Sequence, residues 1–81
     1  MTRELVFEKL NVIFRKNFDD EDILLNDETS SADIEDWDSL EQINLVVAIQ
    51  DEFSVKFNID EVNAMKNVGE MVDFILEKLG V

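Results

Sequence analysis

The chain has 81 residues, of which 20 are acidic and 7 basic, so its formal net charge at pH 7 is −13. This charge disfavours nucleic acids and anionic membranes as partners, because both require a basic face. The sequence contains neither cysteine nor histidine, which excludes disulfides, thiolate and histidine metal sites, and cysteine or histidine catalysis. The acids either attract partners with basic patches or only keep the protein soluble, and composition is compatible with both.

Hydrophobic residues make up 46% of the chain, which predicts a folded protein, and the length predicts a single domain over residues 1–81. The absence of proline and the presence of only two glycines favour an all-α fold. No apolar run is long enough to cross a membrane, and the first ten residues do not resemble a signal peptide. We therefore expect a cytoplasmic monomer.

The first predicted helix covers about residues 2–17, with Thr2 as its N-cap. Its apolar positions recur with the spacing of one helical face. That face consists of Val6, Leu10, Ile13 and Phe14.

A long connection follows, over about residues 18–37. Most connections are much shorter, so this one needs contacts with the core to hold it. We expect four apolar side chains to provide them: Ile23, Leu24, Leu25 and Ile34. The segment DDEDILLNDE lacks the glycine and the alternation of an EF-hand loop, so a solvated acidic loop is the preferred interpretation. Trp37, at the end of the connection, either anchors the loop or packs beside Ser39.

The second predicted helix, about residues 39–54, is apolar over more than one face. At about 100° per residue, Leu45, Val46, Ile49 and Phe53 form an arc suited to the core. A second stripe consists of Leu40, Ile43 and Val47. Either other helices cover both stripes, or the second stripe remains exposed for a partner.

Two further helices are predicted near the C-terminus. A short one covers about residues 59–65, with Asn58 as cap and Glu61 as its capping-box partner. The last helix begins after Asn67, with Glu70 at the corresponding box position, and ends before Gly80. Its apolar stripe consists of Val68, Met71, Val72, Ile75, Leu76 and Leu79.

Ser39 stands at the start of the second helix. In one interpretation Asp38 caps the helix, with Glu41 as its box partner, and Ser39 is merely the first helical residue. In the other, an exposed hydroxyl lies beside unpaired backbone N–H groups, where a phosphoester is electrostatically favoured. A Ser-His-Asp nucleophile is impossible without histidine, so any chemistry at Ser39 is a modification by another enzyme.

Asp38-Ser39-Leu40, followed by EQINLVVAIQDEF, resembles the attachment segment of acyl carrier proteins, and the predicted helices follow the order of that family over nearly the whole chain. The resemblance implies a four-helix bundle with a long loop after helix one and a short third helix. It also implies that Ser39, flanked by Asp38 and Leu40, carries 4′-phosphopantetheine, which a phosphopantetheinyl transferase installs from coenzyme A. Such a protein is not an enzyme but a carrier of acyl thioesters in fatty-acid, polyketide or other specialised biosynthesis.

The resemblance further implies that the second helix binds acyl-loading and acyl-transferring enzymes through their basic patches. The implied contact residues are Leu40, Glu41, Ile43, Val47, Asp51 and Glu52. Residues that would line a space for the acyl chain are Val46, Ile49, Phe53, Ile59, Val62 and Met65.

Some positions depart from the family pattern. Asn44 and Gln50 occupy positions where fatty-acid carriers commonly have glutamate, and Asp36 and Trp37 also differ from the usual residues. These departures favour a specialised stand-alone carrier over a housekeeping one. The alternative from another class is an unmodified acidic helical module that docks proteins through the same face.

Overall fold

A computed structural model describes residues 1–80. Within this range the chain forms four α-helices and no strand, which confirms the predicted all-α architecture with a short third helix. The helix bounds lie within about one residue of the predicted ones. The helices are α1 (Arg3–Phe18), α2 (Ser39–Phe53), α3 (Ile59–Ala64) and α4 (Val68–Leu79). None of the helices in this part of the chain is both long and apolar enough to span a bilayer.

Each helix begins at the cap residue that the sequence predicts. Thr2, Asp38, Asn58 and Asn67 adopt extended backbone angles, and each side chain accepts a hydrogen bond from the N–H three residues later. These bonds satisfy donors that the first turn of a helix leaves without an intrahelical acceptor. The cap residues therefore set where each helix starts.

Of the predicted capping boxes, only the one at α3 forms, where Glu61 accepts from the Asn58 N–H at 3.0 Å. The prediction for α4 is wrong, because the Glu70 carboxylate accepts from the Lys66 N–H at 2.7 Å instead. The prediction for α2 is wrong as well, because the Glu41 carboxylate accepts from the side-chain amide of Asn44 at 2.8 Å. In both cases the carboxylate bonds to a donor other than the N-cap N–H.

The core lies between α1, α2 and α4, and α1 packs against both of the other helices. The predicted stripes supply it, since the periodic apolar positions of each long helix turn towards the same interior. Its fully buried side chains are Val6, Leu10, Phe14, Leu45, Ile49, Val68, Met71, Val72 and Ile75. The short helix α3 contributes no buried residue.

The long connection is held against the core by two buried side chains, Ile23 and Leu25, and by the half-buried Ile34. Leu24 was predicted to join them, but it is 75% exposed. Adjacent side chains of a non-helical segment tend to point to opposite sides, so burying both neighbours turns Leu24 outward. The Leu25 N–H also bonds to the Asn11 side chain at 2.8 Å.

The middle of the connection docks on the first turn of α4. The N–H groups of Val68 and Gly69 donate to the carbonyl oxygens of Thr29 and Asp27, at 2.8 and 3.0 Å. The Arg3 guanidinium bonds to the carboxylates of Asp27 and Asp73, which ties α1 to both. The chain is thereby fixed well before it reaches α2.

Candidate functional site

Trp37 fixes the chain immediately before α2. Its ring meets Phe14 edge-on, with centroids 5.2 Å apart and planes at 82°, and it also lies near Phe18. The indole N–H donates to the Gln42 side-chain oxygen at 2.7 Å, so the tryptophan joins the core to the first turns of α2. The loop-anchor interpretation of Trp37 fits these contacts, which join the start of α2 to the core.

Ser39 is the first residue of α2, and its side chain is exposed. The capping role belongs to Asp38, whose carboxylate accepts from the Glu41 N–H at 2.9 Å. Within residues 1–80 the Ser39 hydroxyl has no hydrogen-bond partner. The hydroxyl is therefore accessible from solvent at a helix end that favours negative charge.

An open groove of about 420 Å³ begins beside Ser39 and runs towards α3 and the segment that follows it. Its wall mixes apolar and polar side chains, which suits a flexible group that carries both amide and hydrocarbon parts. The lining residues are Ser31, Trp37, Asp38, Ser39, Gln42, Ile43, Ile59, Val62, Asn63, Met65 and Lys66.

The second apolar stripe of α2 is exposed. Leu40, Ile43 and Val47 are 67%, 57% and 51% exposed, so the interpretation in which other helices cover both stripes is wrong. Ile59 of α3 is 69% exposed and lines the groove together with Ile43. The stripe therefore continues from the surface of α2 into the groove.

Acidic side chains flank this stripe on the same helix. Asp51 and Glu52 are exposed and Glu41 is half-buried. The Glu52 carboxylate lies 3.5 Å from the Lys9 ammonium, while Glu41 is bonded to Asn44. An apolar strip with a charged border is typical of protein-binding surfaces.

The six residues considered for an acyl-chain lining lie in two different environments. Ile59, Val62 and Met65 line the groove, whereas Val46, Ile49 and Phe53 are buried within the bundle. Sequence reasoning did not identify Gln42, Asn63 or Lys66 as groove residues. The angular position of Gln42 within the core arc of α2 could have indicated its role, because a polar side chain there needs a hydrogen-bond partner such as the Trp37 indole.

The sequence matches a known family and several known proteins. The family described as "Phosphopantetheine attachment site" matches residues 8–75. The acyl carrier protein of Petrotoga mobilis is 34% identical over 82 residues, which cover 100% of this chain and 95% of that protein. The acyl carrier protein of Phenylobacterium zucineum is 31% identical over 75 residues, covering 93% and 95%.

Among solved structures, the solution structure of holo acyl carrier protein from Geobacter metallireducens superposes with a TM-score of 0.86. Its sequence identity to this chain is 42%, and the match covers 91% of this chain and 85% of that one.

A serine exposed at a helix start, beside an open groove in a small helical bundle, fits a domain that bears a prosthetic arm. Together with the matches, this arrangement shows that the chain belongs to the acyl carrier protein family. It carries acyl groups on covalently attached 4′-phosphopantetheine and works with the biosynthetic enzymes that load and use them.

Proposed function

We propose that Ser39 is the residue that bears the arm. The observation that carries this proposal is the free, exposed hydroxyl at the first position of α2, which opens onto the groove. A phosphopantetheinyl transferase would join Oγ to the phosphorus that bears pantetheine and break the P–O bond of the coenzyme A diphosphate, so that the nucleotide half leaves as a phosphate and the Oγ proton is released. Once attached, the arm supplies a terminal thiol that holds acyl groups as thioesters.

The chain's own residues prepare this site rather than catalyse a reaction. Asp38 satisfies the Glu41 N–H and leaves the serine hydroxyl free, and Trp37 holds the helix start against the core. With neither histidine nor cysteine in the chain, we propose that it acts only as the substrate of other enzymes.

The partner surface would be the exposed stripe of α2 with its acidic border. Basic patches on a loading enzyme would be attracted to the acids, while Leu40, Ile43 and Val47 would supply the apolar contact. Asn44 is exposed and uncharged at a position where the family resemblance leads us to expect glutamate, whereas the half-buried Gln50 accepts from the Phe57 N–H at 2.9 Å. We therefore place the protein with a specialised biosynthetic pathway.

Intact mass spectrometry tests the attachment. The protein is incubated with coenzyme A, magnesium and a phosphopantetheinyl transferase of broad specificity. We expect its mass to rise by one arm, and Ser39→Ala to abolish the rise. Ser31→Ala is the matched control, because Ser31 is also exposed and lines the same groove. A mass that never changes, or an arm still attached to the Ser39→Ala protein, would overturn the proposal.

A further inference from the structure

Lys66 faces the groove from the side opposite α2. Among the described residues that line the groove, it is the one basic side chain. Its backbone is well fixed, because its own N–H bonds to the Glu70 carboxylate at 2.7 Å and the preceding Met65 packs against the core. The following residue, Asn67, caps α4. The position of this lysine is therefore set by the fold, and its side chain is exposed.

The ammonium group of Lys66 is unpaired in an acidic protein. Arg3, Lys9 and Lys78 each have a carboxylate partner within 4.0 Å. Among residues 1–80, no carboxylate oxygen lies within that distance of the Lys66 ammonium. Lys66 is therefore a cation without a carboxylate partner among the described residues, and it differs from the other such cations in lining the groove.

A phosphodiester on Ser39 would add negative charge beside several carboxylates, and a cation at the groove would offset part of that repulsion. Asp36 and Asp38 come just before Ser39, and Glu41 follows two residues later. Their carboxylates would repel the added negative charge, since like charges at a protein surface interact unfavourably. Among the described residues that line the groove, Lys66 alone offers the opposite charge, on a long and flexible stem.

We propose that Lys66 pairs with the phosphodiester of the arm on Ser39 and so holds the first part of the arm against the groove. This inference rests on the proposed attachment to Ser39. The pair is exposed, so it is weak and sensitive to salt. A partner enzyme that offers its own cations can therefore break the pair and draw the arm out of the groove.

A double-mutant cycle measures the pair directly. The free energy of unfolding is determined in low salt for the apo and holo forms of the unmodified sequence and of Lys66→Gln. We expect the substitution to lower the folding equilibrium constant of the holo protein about twofold to fivefold more than that of the apo protein, as for exposed ion pairs. This difference should vanish in high salt.

Lys56→Gln is the matched control. Lys56 is also exposed and, within residues 1–80, also lacks a carboxylate within 4.0 Å. It follows the far end of α2, which is about 20 Å from Ser39 along a helix of this length. Lys56→Gln should lower the folding equilibrium constants of the apo and holo proteins by the same factor. The phosphorus NMR resonance of the holo protein should move on Lys66→Gln and stay in place on Lys56→Gln.

The outcomes separate the two proposals. If the arm is loaded but Lys66→Gln destabilises the apo and holo forms equally, the proposed role of Lys66 is overturned. The proposed attachment to Ser39 would remain. If Lys56→Gln changed the holo protein more than the apo protein by the same factor as Lys66→Gln, the role of Lys66 would also be overturned. Such a result would show that the arm responds only to the net charge of the chain. Intact mass showing no arm on Ser39 would overturn both.

Discussion

The backbone carbonyl of Asp27 lies against Gly69 in the first turn of α4 and accepts its N–H at 3.0 Å. A side-chain carbon at residue 69 would lie 2.7 Å from that oxygen. That oxygen belongs to the backbone of Asp27, whose side chain bonds to Arg3, so it has little freedom to move away. The close approach requires glycine at this helical position.

Gly69→Ala should therefore destabilise the protein by about 1–3 kcal/mol, the usual cost of overpacking. Chemical denaturation measures this difference. The sign is informative, because the same change at an exposed position inside a helix would stabilise by about 1 kcal/mol. A more stable Gly69→Ala protein would mean that the connection does not dock on α4 as described.

Two leucines of α2 provide a matched test of which face is buried. Leu45 is fully buried, whereas Leu40 is 67% exposed. Leu45→Ala should cost about 2–5 kcal/mol of unfolding free energy, because it removes contacts and leaves a cavity. Leu40→Ala should stay within about 0.5 kcal/mol. Similar losses for both substitutions, measured by denaturant melts, would show that the helix is rotated from its described position.

The capping role of Asp38 and the proposed modification of Ser39 should be separable by mutation. Asp38→Ala removes the acceptor of the Glu41 N–H and should cost about 0.5–2 kcal/mol. Ser39→Ala should leave thermal stability almost unchanged while abolishing attachment of the arm, because Asp38 keeps the cap. A large stability loss in Ser39→Ala would show that the hydroxyl has a structural role.

The exposed stripe should control docking to the transferase. Val47→Glu places a charge in the apolar strip and should slow loading by roughly tenfold, the equivalent of about 1.4 kcal/mol of binding. Val12→Glu is the control, since Val12 is also about half exposed, at 49% against 51%, but lies on α1. The rate of loading is followed by mass spectrometry at several salt concentrations. Equal loading rates for the two variants would argue against the exposed stripe of α2 as the docking surface for the transferase.

The start of α3 should respond to acid. The pKa of Glu61 lies below its ordinary value of 4.5, because the carboxylate accepts from the Asn58 N–H and pairs with Lys78 at 2.9 Å. A depressed pKa in the folded state adds stability above the unfolded-state value, and that stability is lost as the pH falls through the folded-state value. The melting temperature of Glu61→Gln should therefore be lower than that of the unmodified protein at pH 7. The gap should close as the pH falls through the folded-state pKa of Glu61, which lies below 4.5. If the difference in melting temperature persists in acid, the destabilisation by Glu61→Gln comes from altered packing and not from the lost charge.

Helix positions were predictable because their causes are local. Asp38 and Asn67 cap helices with bonds that span three residues, and the apolar period of α4 is visible without any other part of the chain. Two capping boxes were not predictable, because the carboxylates of Glu41 and Glu70 had other donors within reach. Choosing between such donors requires the positions of side chains, which a spacing rule does not contain.

By itself, the sequence determined the four helices, the buried face of α2, the acidic charge and the Asp38-Ser39-Leu40 motif at the start of α2, since each follows from residue type and short-range spacing. Only the tertiary structure decided that Leu24 is exposed, that Gly69 meets Asp27, and that Lys66 lies across a groove from Ser39. These relationships join residues far apart in the chain, or depend on which neighbours cover a side chain, and they exist only once the helices have packed.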